Sequence, residues 1–240
     1  MGNIMKKVIK FIANTKEAGL ASLEPQPSIK LLPNWYKNIP PYKNKEKKLK
    51  FPMGFYTHNS TIKRCVPFLD ALTAGYMAVL DDDVYIEQIN AEPFIRWKSN
   101  VDMITWHNLE EIPGFEIPDT YHKMVTKWTN DFIIKTPKGY SVMFVHPLNR
   151  VDLPFFTLSG FVDCDSYEMT VNFPFLLKKG FEGIIPAGTP IAQIIPIKRD
   201  SWKSEREKYN EDKTYVRLRK FQRTFSDSYK KNWWVRKEYK

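Results

Sequence analysis

The sequence predicts a mainly β fold, a sandwich or barrel of short strands preceded by a Pro-rich N-terminal arm and followed by a C-terminal helix. Three observations carry this. Between residues 111 and 197, β-branched and aromatic runs recur with Pro and Gly between them, at the roughly ten-residue spacing of sandwiches and barrels. Residues 24–54 hold Pro25, Pro27, Pro33, Pro40, Pro41 and Pro52, which no long element survives. After Pro196 the period changes, and residues 199–225 contain neither Gly nor Pro. With 240 residues, 42% hydrophobic and 15% aromatic, the chain can bury a core, and its 27% charged residues exclude a collagen-like, disordered or membrane-embedded chain.

Taken in order, residues 5–14 interleave Lys with β-branched and aromatic residues, the pattern of an edge strand. The proline arm follows, with a lysine cluster at Lys43, Lys45, Lys47, Lys48 and Lys50. Trp35, Tyr36 and Tyr42 could pin it across the body or against a neighbouring subunit, while surface packing of a long connector is the plainer reading. A short helix is expected around Pro67–Leu72, then a β-hairpin of residues 76–80 and 84–89 turning at Asp81-Asp82-Asp83. Strands are expected at 132–136, 140–146, 155–163, 167–177, 181–189 and 190–197. The last helix would start near Asp200 or Ser201 as N-cap, with Glu205 in its first turns. This gives three segments: a strand and arm over 1–60, a β domain over 61–198, and a basic aromatic tail over 199–240.

Charge separates the same segments. Residues 1–50 hold 11 Lys against 3 acids, residues 51–197 hold 11 bases against 17 acids, and residues 198–240 hold 15 bases against 7 acids. An acidic centre with cationic ends argues against a nucleic-acid-reading core. The ends either solvate the chain or touch an anionic partner. No run of 18 apolar residues is present and Lys6, Lys7 and Lys10 interrupt the first apolar stretch, so neither a membrane span nor a signal peptide is expected.

Candidate chemistry is sparse. His58, His107, His122 and His146 lack metal-ligand spacing, and no metal or cofactor is expected. Three adjacent aspartates suit a hard cation, yet without calcium-loop spacing they read as an acidic turn. His146, Asn149 and Arg150 follow a predicted strand and together suit a carboxylate or phosphate, while an ordinary loop histidine is the plainer reading. Cys65, beside Lys63 and Arg64, is expected to be a buried or half-buried structural residue. Cys164 lies between two aspartates that raise a thiol pKa. In the tail, Arg217 and Arg219 alternate with aromatics, and Trp233 and Trp234 sit among lysines. That mixture suits a protein partner or a nucleic acid, with protein docking favoured for paired tryptophans.

The phrases GFVDCDSYEMTVNFPF (160–175) and IPAGTPIAQIIPI (185–197) resemble the dUTPase and dCTP deaminase superfamily. So do LTAGYMAVL (72–80) and TPKGYSVMFVHPLNR (136–150), in the same order. The resemblance implies a jelly-roll-like β-barrel that assembles as trimers, and a ligand-binding reading would build its pocket from Tyr76, His146, Asn149, Arg150, Asp163 and Gln193. In that pocket Asp163 would orient a water or sugar hydroxyl, or merely cap its own turn. Gln193 would face the pocket or bond to a neighbouring strand, and Gly160 and Gly188 would occupy positive-φ or crowded turns. Departures are equally plain. Met77 stands where the superfamily has its first-motif aspartate, His146-Pro147-Leu148-Asn149-Arg150 stands where it has Arg-Ser-Ser, and no Gly-rich C-terminal arm is present. Without those charges, nucleotide diphosphate hydrolysis loses its stabilisation.

The phrases KRCVPFLDALTAGYMAVL, VHPLNRVDLPFFTLSGFVDCDSYEMTVNFPF and IPAGTPIAQIIPI are also similar to a domain family of unknown function found in bacteria and tailed phages. The missing catalytic positions and the two basic, aromatic extensions around an acidic body lead to the expected role of a non-catalytic assembly protein, phage-encoded, in a virion or the host cytoplasm. Its arm and its tail, through Arg217, Arg219, Trp233 and Trp234, would contact neighbouring subunits or other structural proteins, with nucleic acid as another partner of the basic tail and no membrane involved. The alternative is a binding protein or enzyme for a nucleotide or small anion.

Overall fold

The computed structural model describes residues 7–43, 48–50, 56–58, 60–107, 109–223 and 228–240, so Lys45, Lys47, Pro52 and Phe225 lie outside the described residues. In chain order the elements begin with strand β1 (Lys10–Ala13), helix α1 (Lys16–Ala21), β2 (Gln26–Pro27), α2 (Asn34–Asn38), β3 (Lys48–Lys50), β4 (Tyr56–His58) and α3 (Val66–Thr73). Next come β5 (Tyr76–Val79), β6 (Val84–Ile89), β7 (Glu92–Trp97), β8 (Ile104–Trp106), β9 (Thr126–Trp128), β10 (Phe132–Lys135) and β11 (Tyr140–Val145). The chain continues through β12 (Phe155–Thr157), β13 (Gly160–Val162), β14 (Phe173–Leu177), β15 (Gly183–Ile185) and β16 (Pro190–Lys198), and ends with α4 (Glu211–Arg223) and α5 (Ser228–Asn232). It divides into two compact units, one of Met1–Leu31 with Ala74–Arg199, the other of Leu32–Thr73 with Asp200–Lys240.

The first unit is the β unit. Its sheets run β13-β11-β16-β5-β2, β12-β14-β9-β8, β15-β6-β7 and β1-β10. All pairings are antiparallel, and β1 pairs with β10 as an edge strand. β11 and β16, at the middle of the largest sheet, are nearly continuously buried, as β-branched and aromatic runs without alternation imply. One core joins the four sheets, including Ile86, Trp128, Ile134, Val142, Phe173 and Ile194. Trp128 stacks on Phe175 at 3.9 Å and meets Phe155 edge-on at 5.2 Å. Each fully buried side chain of this size contributes roughly 1.5–3 kcal/mol.

Several expectations meet corrections here. No sheet closes into a barrel among the described residues, because the strands group into separate sheets around a shared core. The expected hairpin of 76–89 does not form: β5 pairs with β16 and β2, whereas β6 pairs with β7 and β15. The reason lies in the aspartates. Asp81 accepts the Leu23 N–H and Asp83 the Ala187 N–H at 2.8 Å, so the turn ties two other segments together and sends its flanking strands to different sheets. The hairpin that exists joins β6 to β7 through Asn90 and Ala91, both at positive φ (52° and 65°), as a two-residue primed turn requires.

Gly75 is the glycine that positions the rest. Its φ is +63°, and a Cβ there would lie 2.0 Å from the Ile194 carbonyl oxygen. Only Gly lets the start of β5 lie this close to β16. Gly188 has the expected positive φ, but Gly160 has neither a positive φ nor a crowded neighbour.

The second unit is smaller and basic, with 21 Lys and Arg against 9 Asp and Glu, while the β unit holds 16 against 18. Trp35 and Tyr36 on α2 pack against Phe68 of α3 at 6.2 and 5.9 Å, so the proline arm is pinned within this unit. Lys63 Nζ lies 4.5 Å from the Tyr36 ring centre and donates to the Tyr36 and Lys37 carbonyls. The expected N-cap at Asp200 or Ser201 is not used. Residues 200–210 are extended and exposed, and Asn210 Oδ1 accepts the Lys213 N–H at 2.8 Å, so α4 begins at Glu211. No helix among the described residues is long and apolar enough to cross a membrane.

Candidate functional site

Strand β11 has a polar cluster at each end, and the two divide the residues expected in one pocket. Ser141 bonds to Asp163, whereas His146 follows the last residue of the strand. Five residues at about 3.3 Å each put the two clusters roughly 16 Å apart.

At the His146 end, Pro147-Leu148-Asn149-Arg150 forms a turn in which the Arg150 N–H donates to the Pro147 carbonyl at 3.1 Å. Asn149 sits at φ +62°, a conformation that Asn tolerates better than most residues, so its place here is conformational. His146 Nδ1 accepts the Thr157 N–H at 3.2 Å, which leaves Nε2 as the protonated nitrogen, donating to the Arg150 carbonyl at 3.0 Å. The ring stacks on Phe156 at 5.0 Å. Burial first, then the nearby Lys178 and Arg150 charges, holds the imidazole below the ordinary histidine range, while the Arg150 carbonyl opposes this. A proton on Nδ1 would also face an N–H donor, so the ring is neutral.

Arg150 forms a two-pronged pair with Asp152, Nε and Nη2 each donating at 2.9 Å, and its side chain is 12% exposed. Gln193 is fully buried, and the structure resolves its two alternatives in favour of bonding. Its Oε1 accepts the Leu148 N–H at 2.8 Å and its Nε2 donates to the Ala74 carbonyl at 2.7 Å. One amide thus ties the turn after β11 to the residue before Gly75. A cleft of about 380 Å³ opens here, with Val145, Phe155 and Phe156 as apolar wall and Tyr121, Arg150 and Lys178 around it.

At the other end, Ser141 Oγ donates to Asp163 Oδ1 at 2.6 Å, and Arg199 Nη1 lies 3.1 Å from the same oxygen. Arg199 also forks onto Asp165, Nη1 to Oδ1 at 2.9 Å and Nη2 to Oδ2, while Gly139 N–H donates to Oδ2 at 2.8 Å. The Arg199 bond first, then the Gly139 amide, brings the Asp165 carboxyl down to about 2. Cys164 between the aspartates is buried, which with their charges pushes its thiol up to about 11, the direction the sequence implies. Tyr76 belongs to neither cluster. It packs edge-on to Phe11 at 5.2 Å in the register of Ile194 and Pro27.

Of the six residues expected together, the structure gathers His146, Asn149, Arg150 and Gln193, and separates Tyr76 and Asp163 from them. Sequence reading missed Tyr121 and Lys178, which arrive from a loop and a strand end with no local motif. It also missed Arg199, whose only signal is its place directly after the last strand. Cys65 is exposed, against expectation, because it precedes α3 at the surface of the second unit. Met77, in the position of the superfamily's carboxylate, is a buried core side chain. Among the described residues no three of His, Cys, Asp and Glu gather in a metal-holding group.

In the tail, Trp234 Nε1 donates to Asp70 of α3 at 2.9 Å and Lys237 Nζ at 2.6 Å, so this tryptophan is engaged within its own unit. Trp233 is 46% exposed. Arg217 and Arg219 lie exposed on α4, where Arg219 reaches over the Tyr215 ring at 5.3 Å.

No family model matches the chain, and no curated protein matches it. Among solved structures it is similar to a point mutant of the dUTPase from phage phi11 of S. aureus, described with a structural Mg(II) ion. The likeness covers 85% of this chain and 99% of that one at 7% identity, with a TM-score of 0.38.

Proposed function

We propose that the chain is a non-catalytic assembly protein, phage-encoded, whose jelly-roll-like β unit carries a basic aromatic extension that contacts neighbouring subunits in a virion or in the host cytoplasm. The observation that carries this reading is a contrast in side-chain engagement. His146, Arg150, Gln193 and Asp165 bond to groups of their own chain. Trp202 and Tyr209, in the basic unit, stand 90% and 78% exposed. Exposed aromatics interleaved with cations suit a protein partner that covers them. Native mass spectrometry of the full chain tests it: oligomers at micromolar concentration are expected, and a monomer at every concentration and salt would sink the reading.

A second reading, binding of a nucleotide or small anion, rests on the cleft beside His146, where Arg150 and Lys178 border an apolar wall. Thermal shifts with deoxynucleotides and sugar phosphates test it. A ligand at about 100 times its dissociation constant adds about 2.7 kcal/mol, so a panel without shifts rejects this reading.

A further inference from the structure

Helix α4 and the loop between β8 and β9 are chemical opposites, and each is exposed. After Asp212 the described side chains of α4 include Lys213, Arg217 and Arg219 with no acid, and Tyr215 and Leu218 are 57% and 54% exposed. Tyr215 and Leu218 are three residues apart and share a face. At about 100° per residue, Arg219 and Arg217 lie on either side of that face. A helix of 13 residues is marginal in water on its own, so a surface covering its apolar side would stabilise it.

The loop supplies the reciprocal surface. Ile112, Pro113, Phe115, Glu116, Ile117 and Asp119 line an open cleft of about 720 Å³, with Phe115 47% exposed at its mouth. Glu116 and Asp119 border it, and Glu110 and Glu111 are exposed just upstream. Lys123 is its one basic lining residue, and it lies 2.9 Å from Asp119. A cleft that sets Ile112 and Phe115 beside acidic side chains is what an amphipathic cationic helix fits, apolar face inward and arginines on the acidic groups.

We propose that α4 of one copy docks, through its Tyr215–Leu218 face, into the 112–119 cleft of a second copy. This deepens the assembly reading and rests on it. Two α4 helices meeting each other would oppose Arg217 and Arg219 with like charges. Two different surfaces joined this way give a head-to-tail contact that closes into a ring or extends as a chain. A single-stranded nucleic acid would engage the cations but leave the acidic cleft without a role.

The test uses three full-length proteins: wild type, the double variant R217E/R219E and the double variant E110K/E116K, with circular dichroism confirming that each folds. The substituted side chains are exposed, so folding is expected to persist. Each variant alone should associate at least about tenfold more weakly than wild type, since its docking surfaces then carry the same sign. An equal mixture of the two should recover mixed oligomers, resolved by mass in native spectrometry. Wild-type oligomers that survive in both variants, or variants that fail to recover on mixing, overturn this contact and leave the assembly reading standing. A wild-type monomer overturns both. Tight anisotropy binding of a labelled dT20 oligonucleotide that R217E/R219E abolishes, with no change in self-association, assigns the helix to nucleic acid instead.

Discussion

The two ends of β11 are built from the same kinds of residue, a ring or carboxylate, an arginine and a nearby hydroxyl or amide, yet they behave as opposites. At the His146 end the polar groups hold backbone: Gln193 holds Leu148 and Ala74, and His146 holds Thr157 and Arg150. At the Asp163 end they hold one another, through an arginine that is 39% exposed. The first arrangement fixes a turn and resists change in charge. The second is a partly exposed ion-pair network that is in place at neutral pH and is lost in acid. A cluster of reactive residue types therefore says little until its partners are known.

Two substitutions test the neutral end, and they have the largest expected effects. Gly75→Ala would drive a methyl into the Ile194 carbonyl at a position of positive φ. Backbone has to move, so the cost should be about 4 kcal/mol or more, read as a loss in chemical-denaturation midpoint. An Ala variant as stable as wild type would show that β5 and β16 are not held this closely. Gln193→Leu keeps the volume but strips the Leu148 N–H of its Gln193 acceptor, while the Ala74 carbonyl keeps the Ser28 hydroxyl at 2.8 Å, at about 1–3 kcal/mol. Its effect should be the same at pH 5 and pH 8, because nothing it removes titrates.

Acid separates the two ends by window. Asp165 has its folded pKa lowered to about 2, so its stabilisation is present above the ordinary carboxylate pKa of about 4 and disappears as pH falls through about 2. His146 is also depressed in the fold, from 6.5. The unfolded chain therefore takes up its proton first, and stability falls as pH drops below about 6.5 until the folded pKa is reached. Asp165→Asn should flatten the fall in melting temperature between pH 4 and 2 relative to wild type. His146→Gln, whose amide can both accept and donate, should flatten the part just below pH 6.5. If the two variants altered the same window, the separation between the ends would fail.

How much of this was legible in sequence follows from range. The strands β10, β11 and β16 and the helix α3 are written in local runs, and the sequence places them within a residue or two, whereas the edge strand expected over 5–14 is β1 at Lys10–Ala13. The 76–89 hairpin was not legible, since Asp81 and Asp83 find their donors 58 residues earlier and 104 later. The start of α4 was missed because Asp200 and Asn210 are both competent caps. The candidate site was half legible. His146, Asn149 and Arg150 are adjacent in sequence and Gln193 stands out in an apolar strand, but that both His146 nitrogens and both Gln193 amide atoms are occupied depends on Thr157 and Ala74, distant in sequence. Asp163 looks like a pocket residue only until β11 is given its length, and Tyr76 only until it is seen packed on Phe11.

The smallest expected effect sharpens the comparison most. Arg199→Lys keeps the positive charge beside Asp163 and Asp165 but loses the fork that contacts both Asp165 oxygens and Ser141 together. At pH 7 the Lys charge still faces Asp165, whose side chain is only 8% exposed, so melting temperature should fall only slightly. The acid response should change instead. With only the Gly139 amide and a point charge on Asp165, its carboxyl should titrate higher, and the acid transition of the Lys variant should fall between those of wild type and Asp165→Asn. A Lys variant as damaged at pH 7 as Gln193→Leu would mean that the Asp163 end is as structural as the His146 end, and the contrast between the two ends of β11 would collapse.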